Sequence, residues 1–542
     1  MPVEPERTPV AGVAALIALC AVYLLAGAIG HDPWKPDDAL HFGIVYSMLE
    51  SGRPWMPQFM GETLPGTPPL YYWVAAASAR LFGWVLPVHD AARIAAVAFG
   101  ALLLSGIGAC ARALDGAGSG ALGVLVAIGC IGLVAPIHDL QPAIALLAAC
   151  AFTLYGLIRL PAQPLAGALI AAVSIALGTL AQGAQAIVQL APLAAVPAFT
   201  SAEGRRPAAL VAAALVPIAG AGLAAAWSIA LAAADPALFA AWRTAFTDEF
   251  AHLEFSPRRL GAILSLLGWF GWPAAPLALW TLWRRRRSAG DAAIAAPLAA
   301  AAWLLLVAAS IDVPRTESAL PLLVPLVLLA VPGATTLRRG AANALDWFAV
   351  MTFTLFAGLA WLGWVAMSFG VPARLALRAV KLEPGFVMTN APFWVIAAGL
   401  MSATWLWQIA AGPRHPARAT LRWALGMTTI WVLFMTLWLP WIEYGKSYRP
   451  LAASLARALP PAGGRLCGYN LGAAQRASLD YFAGIRTRAV ASPAQPGCAL
   501  LLMQAAGRNA DPSPGTGWRK LWEGRRPGDR RELFRLFVWE RP

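Results

Sequence analysis

Charge is what this sequence most lacks. Of its 542 residues only 13% are Asp, Glu, Lys or Arg, whereas 59% are hydrophobic. A soluble chain of this length carries about 25% charged residues, so a soluble multidomain protein is excluded. Disorder is excluded by the same numbers. Histidine and cysteine are also scarce, at six each, and no CxxC or HExxH spacing occurs. No zinc or haem site can therefore be argued from motifs. Acids are the scarcer sign, 27 against 41 Lys and Arg, for a net charge of +14. In an apolar chain that excess marks cytoplasmic loops and lipid headgroup contacts before it marks nucleic acid.

What is present is hydrophobic length. A spanning helix needs about 20 apolar residues. Such runs lie near 10–30, 91–111, 117–137, 142–160, 165–183, 185–200, 208–234, 260–282, 291–310, 318–334, 345–369, 391–411 and 420–441, which predicts a polytopic α-helical membrane protein with about 13 spans. The first run has no small-residue cleavage site and reads as an uncleaved helix. The stretch 69–86 is apolar too, but it contains Arg80 and is expected to lie flat at the interface, with Tyr71, Tyr72 and Trp73 at headgroup level. With a cytoplasmic N-terminus, Arg112, Arg159, Arg205, Arg206, Arg284 to Arg287, Arg338, Arg339, Arg414, Arg418 and Arg422 all fall on the cytoplasmic side. Counting 69–86 as a span would turn the four-arginine run outward, against the positive-inside rule.

The external segments are then a first loop (31–86), a short turn (138–142), a third loop (235–259) and a soluble tail (442–542). The domain division is 1–441 for the membrane part and 442–542 for the tail. Strand-like runs at 465–469, 499–504 and 533–540 with a helical stretch at 473–482 predict a small α/β domain. The tail is basic, with 16 Lys and Arg against 6 Asp and Glu over 446–542, and either a solvated basic face or an anionic partner accounts for that. Cys20, Cys110, Cys130 and Cys150 sit in apolar spans. Cys467 and Cys498 share the tail, where a disulfide between them is open.

The first loop begins with His31, Asp32, Lys35, Asp37, Asp38 and His41. The adjacent carboxylates either cap a helix starting at Ala39 or supply a general base, and the two roles are compatible. In the third loop Glu249 and His252 share a helical face; they form a weak candidate for a divalent metal against a solvated helix. His138 beside Asp139 is either a second base or a hydrogen-bonding partner.

Reading on, KPDDALHFGIVYSMLESG at 35–52 is followed by RPWMPQFMGE at 53–62 and PPLYYW at 68–73. This block resembles the first external loop of bacterial GT-C glycosyltransferases of the protein O-mannosyltransferase clan, and within it the ArnT-like, lipid A aminoarabinose transferase family. Weaker likenesses follow at Ala92-Arg93, His138-Asp139, GWFGWP (268–273) and KSYRPLA (446–452). The resemblance implies a GT-C fold with a periplasmic α/β tail. It also implies transfer of a sugar from a polyprenyl-phosphate donor to an envelope acceptor, lipid A being one candidate, at the periplasmic face of the inner membrane. By match to the family motif Asp37 takes the catalytic acidic position, Asp38 stands where Glu is usual, and Asp139 takes the second acidic position. The family's lysines are missing: Gly66 and Thr67 stand where it has Glu-Lys, and Gln182 where it has a second Lys. Arg80, Arg93, Arg243 and Arg315 are candidates to hold the donor phosphate instead, and Tyr71, Tyr72, Thr67 and His138 complete the expected donor-binding set. No cofactor is assigned, with a divalent metal left open. The rival readings are a non-catalytic carrier of a lipid-linked sugar and a degenerate accessory paralogue. Acids gathered in external loops, not inside spans near the midplane, favour the enzyme.

Overall fold

A computed structural model describes residues 10–540 except 54, 252, 289, 390, 413–416, 462–464, 494–496, 507–513, 528, 530 and 531. Among the described residues, seven helices are long and apolar enough to cross a bilayer: Val88–Asp115, Pro164–Gln182, Pro207–Ala234, Thr316–Thr336, Arg339–Phe369, Pro392–Ala411 and Arg418–Ala458. The run expected as one span at 260–282 is instead two helices, Pro257–Phe270 and Ala274–Arg284, meeting at a 102° bend. Gly271, Trp272 and Pro273 form the break, where proline removes a backbone donor. Five shorter apolar helices complete the bundle: Gly12–Leu25, Ser119–Gly129, Ala143–Arg159, Ala184–Thr200 and Ala292–Ala308.

In lipid the packing of helices depends on close fit, and small residues supply it. A Cβ added to Gly156 would lie 2.6 Å from the Ala171 nitrogen and the Gly167 oxygen. The helices Ala143–Arg159 and Pro164–Gln182 therefore pack backbone to backbone at this crossing.

The first loop is ordered by its own short elements. The helix Asp37–Ser51 ends at Gly52, which adopts φ +64°. A two-residue hairpin then pairs Gln58–Phe59 with Glu62–Thr63; its turn residues Met60 and Gly61 both have positive φ, as a type I′ turn requires. The helix Leu70–Phe82 follows. Here one expectation fails. Tyr71 and Tyr72 are 0% and 1% exposed and belong to the protein core, not to a headgroup belt, because each hydroxyl finds a protein partner. The Tyr71 hydroxyl accepts from the Gln141 amide at 3.1 Å, and the Tyr72 hydroxyl lies 2.7 Å from His41 Nδ1.

The tail packs a five-stranded sheet against two helices, Arg449–Ala458 and Ala473–Ala483. The strand order is Arg488–Val490, Leu466–Tyr469, Leu500–Ala506, Glu532–Trp539, Trp518–Gly524, parallel across the first three and antiparallel across the last three. Three strands match the expected runs. Arg488–Val490 and Trp518–Gly524 were missed because neither shows a clean alternation of apolar and polar residues. Cys467 and Cys498 are joined by a disulfide. Serine at either position is expected to lower the tail's stability by about 2–4 kcal/mol. Faster amide exchange in the strand Leu500–Ala506, with no change in the spans, is the measurement that checks it.

The tail does not hang free of the membrane part. A Cβ on Gly43 would come within 2.5 Å of Ala477 Cβ, so the glycine lets the tail helix Ala473–Ala483 lie directly on the first-loop helix. Ion pairs from Arg449 to Asp32, Lys35 to Glu532 and Arg486 to Glu50 tie the same two parts together.

Candidate active site at the first loop

The helix of the first loop starts at Asp37, two residues before the expected Ala39, and neither acid caps it through a side-chain hydrogen bond. The two adjacent carboxylates have separate environments. Asp38 is 2% exposed and its oxygens are fully occupied. Oδ1 accepts from Arg93 Nε and the Leu140 amide, both at 3.1 Å. Oδ2 accepts from Arg93 Nη2 at 2.7 Å and the Trp34 amide at 3.1 Å. Burial alone raises the carboxyl's pKa, and the Arg93 guanidinium overcomes this and holds it below the usual carboxylate range. Arg93 is itself 0% exposed; its Nη1 donates to Asp90 Oδ1 at 2.7 Å and to the His31 carbonyl at 2.8 Å. Arg93 was expected to face a donor phosphate; here four of its hydrogen bonds are made within the protein, to Asp38, Asp90 and the His31 carbonyl.

Around this pair lies a second layer that comes from the far end of the chain. Asp32 accepts from Ser447 Oγ at 2.6 Å and is paired with Arg449. Glu443 accepts from the Asp32 amide at 3.1 Å and from Trp34 Nε1 at 2.7 Å. His31 stacks on the Trp34 ring with centroids 4.1 Å apart, and Lys446 Nζ lies 4.6 Å over the same ring. Asp32, Glu443, Lys446, Ser447 and Arg449 were not singled out as site residues; their signal was the KSYRPLA motif, which names three of the five.

Asp37 and Asp139 differ from Asp38 in one decisive respect. Among the described residues neither of their carboxylates makes a hydrogen bond or ion pair. The Leu140 amide bonded to Asp38 pins the 138–142 turn against the first loop and brings Asp139 to the same cluster. Burial, then the neighbouring charge of Asp38, raises the pKa of Asp37. The same two causes push Asp139 up to about 7, with Asp37 adding to the rise and Arg93 and Lys446 opposing it. The result is a pair of unpaired carboxylates beside a third that is locked in an ion pair, the arrangement that separates a proton acceptor from its scaffold.

A stability consequence follows from Asp139. Its folded-state pKa, pushed up to about 7, lies above the ordinary carboxylate value of about 4, so between about pH 4 and 7 the folded protein holds a proton that the unfolded chain has released. Stability from this group is present below pH 4 and is lost as pH rises to 7. Asp139→Asn is expected to flatten the decline of melting temperature across that window, as read by melts at pH 4.5, 6 and 7.5.

The remaining expected residues scatter. His138 is 2% exposed, and its two ring nitrogens lie 2.5 and 2.6 Å from the carbonyls of Val134 and Tyr23; neither is left for a ligand or a second-base role. Tyr71 and Tyr72 are buried scaffold. Thr67 is half-buried, its amide bonded to Leu64. Arg80 and Arg243 are exposed. Arg80 sits ten residues along Leu70–Phe82 from its start, about 15 Å of rise. The Arg315 side chain and His252 lie outside the described residues. No group of three metal-ligating side chains occurs among the described residues. Glu249 instead accepts from the Gln185 amide at 3.3 Å.

Gly66 and Gln182, two of the three positions where lysines or their neighbours were missing, line one cavity of about 430 Å3. Its described lining includes Asp248, Glu249 and Asp312 and no Lys or Arg. Among its described charged side chains an anion would meet acids alone.

The bent and broken apolar helices, the ordered first loop and the docked tail together give a fold shared with solved membrane glycosyltransferases. The particular likeness is to ArnT. The crystal structure of ArnT from Cupriavidus metallidurans bound to undecaprenyl phosphate superposes with a TM-score of 0.68, covering 98% of each chain at 16% sequence identity. The apo crystal structure of the same protein gives a TM-score of 0.65, with 97% of each chain covered at 15% identity. No protein-family model and no curated protein sequence matches the chain.

Proposed function

We propose that this chain is a glycosyltransferase that moves a sugar from a polyprenyl-phosphate donor to an envelope acceptor, lipid A being the candidate, at the periplasmic face of the bacterial inner membrane. The observation that carries the reading is the pair of unpaired carboxylates, Asp37 and Asp139, in external loops against the bundle. A fold shared with ArnT, which has been crystallised with undecaprenyl phosphate, supports the donor class. Asp37 acts as the base. An acceptor hydroxyl attacks the anomeric carbon, its proton passes to the Asp37 carboxylate, the bond from that carbon to the phosphate oxygen breaks, and the electron pair leaves on the phosphate. Asp139 supports Asp37 through its charge, and Asp38 fixes the start of the helix. The donor arrives already activated in the bilayer, so no nucleotide-sugar site is needed, and a divalent metal remains open.

The thirteen-span count is supported by a one-to-one match: each run lies on one of the seven long helices, the bent pair or one of the five shorter apolar helices. With it go a cytoplasmic N-terminus, a membrane domain over 1–441 and a periplasmic domain over 442–542. The acid-lined cavity at Gly66 and Gln182 keeps the carrier reading alive. Purified protein in nanodiscs with radiolabelled polyprenyl-phosphate sugar and lipid A separates the two. Labelled sugar appearing on the acceptor or in water supports the transferase; binding and movement of intact donor supports the carrier.

A further inference from the structure

Breaking a bond to phosphate leaves a charge that needs a cation at the site, and among the described side chains the cations around Asp37 and Asp139 can be eliminated one by one. Arg93 is enclosed by Asp38 and Asp90. Arg449 is paired with Asp32, and Lys35 with Glu532. Arg526 is held by Asp529, Glu532 and the carbonyls of Gly445 and Lys446. Lys446 remains. It is exposed, and among the described residues its ammonium has no hydrogen bond or ion pair; its one described contact is the Trp34 ring, 4.6 Å away. Trp34 is fixed in turn by Glu443 at its Nε1 and by His31 on its face, so the ammonium rests on a rigid platform. From there its charge reaches Asp139. A cavity of about 490 Å3, lined by Lys446, Trp441, Lys35, Arg526, Glu383 and Asp529, gives an anion room to approach. In it Lys35 and Arg526 are already neutralised by their acids, which leaves Lys446 as the uncommitted charge.

We propose that Lys446, seated on Trp34, is the cation that binds the phosphate of the lipid-linked donor and takes up its charge as the sugar leaves. The inference rests on the transferase reading and adds a phosphate site at the junction of the last span and the tail. A cation–π contact holds the ammonium in place without neutralising it, unlike a carboxylate partner, so the full charge stays available for an incoming phosphate.

The test is equilibrium binding of radiolabelled polyprenyl phosphate, and of neutral polyprenol, to full-length protein in nanodiscs. Lys446→Gln is expected to weaken polyprenyl-phosphate binding by about 10- to 100-fold, the worth of one charge-assisted hydrogen bond. Lys446→Arg is expected to restore most of it, and Asp37→Asn to bind as wild type does while failing to turn over. Neutral polyprenol should bind both Lys446 variants alike. Undiminished phosphate binding by Lys446→Gln overturns the inference and leaves the transferase reading standing. Equal weakening for polyprenol overturns it too, since the lysine would then act through the fold. Failure of wild type to bind polyprenyl phosphate overturns both.

Discussion

Asp37→Asn is expected to reduce sugar transfer by about 10²- to 10⁴-fold, the span typical for removal of a general base, while the protein inserts and melts as wild type does. The geometry separates the two readouts. No hydrogen bond or ion pair is lost, because the Asp37 carboxylate has none among the described residues. The swap keeps the side chain's shape and removes a charge that Asp38 already opposes, so the fold gains slightly if it changes at all. A variant of Asp37 that transfers sugar at the wild-type rate would remove the residue from the mechanism and move the base to Asp139. The raised pKa of Asp37 also sets the expected pH response: activity climbs as pH rises through its titration, because the base works only when deprotonated.

How far the sequence anticipated this site depends on chain distance more than on residue type. Asp37 and Asp38 drew notice as adjacent acids beside an apolar slab, but it was the resemblance of the first-loop block to a known family that gave them, and Asp139, their roles. Their division of labour was not visible. Adjacent carboxylates look alike in sequence, and only the arrival of Arg93, 55 residues on, makes Asp38 a buried partner and leaves Asp37 free. Arg93 was misassigned for the same reason: an arginine near an expected phosphate looks like a ligand until its enclosing acids are seen. The other half of the cluster lies some 410 residues away in sequence, at Glu443, Ser447 and Arg449, beyond the reach of periodicity. Each apolar run was legible as helix, since about 20 apolar residues carry their own signal, although among the described residues only seven of the helices are long and apolar enough to cross a bilayer. The break at Gly271 to Pro273 was not, although its proline was in plain view, because proline occurs inside continuous helices here too, as at Pro217 in Pro207–Ala234. Packing decides which proline bends the chain.

The other large effect belongs to Arg93. Arg93→Met is expected to destabilise the protein by about 3–5 kcal/mol, the range measured when one partner of a buried ion pair is removed. Methionine fills most of the volume, so the loss is electrostatic: Asp38 and Asp90, each 2% exposed, are left as buried acids without their cation. Asp38 then loses the interaction that holds its pKa down, and burial raises it, so the variant's melting temperature falls as pH rises through that titration, a slope absent at this pair in wild type. Adding Asp38→Asn to Arg93→Met is expected to recover part of the loss, because the double change removes one stranded charge; the shortfall from additivity measures the pair's coupling. Recovery stays incomplete while Asp90 is unanswered. The opposite result is informative in a specific way. If Arg93→Met folds and melts as wild type does yet binds polyprenyl phosphate poorly, the guanidinium opens toward the donor when it is bound, and the residue returns to the phosphate-holding role that its position in the sequence first indicated.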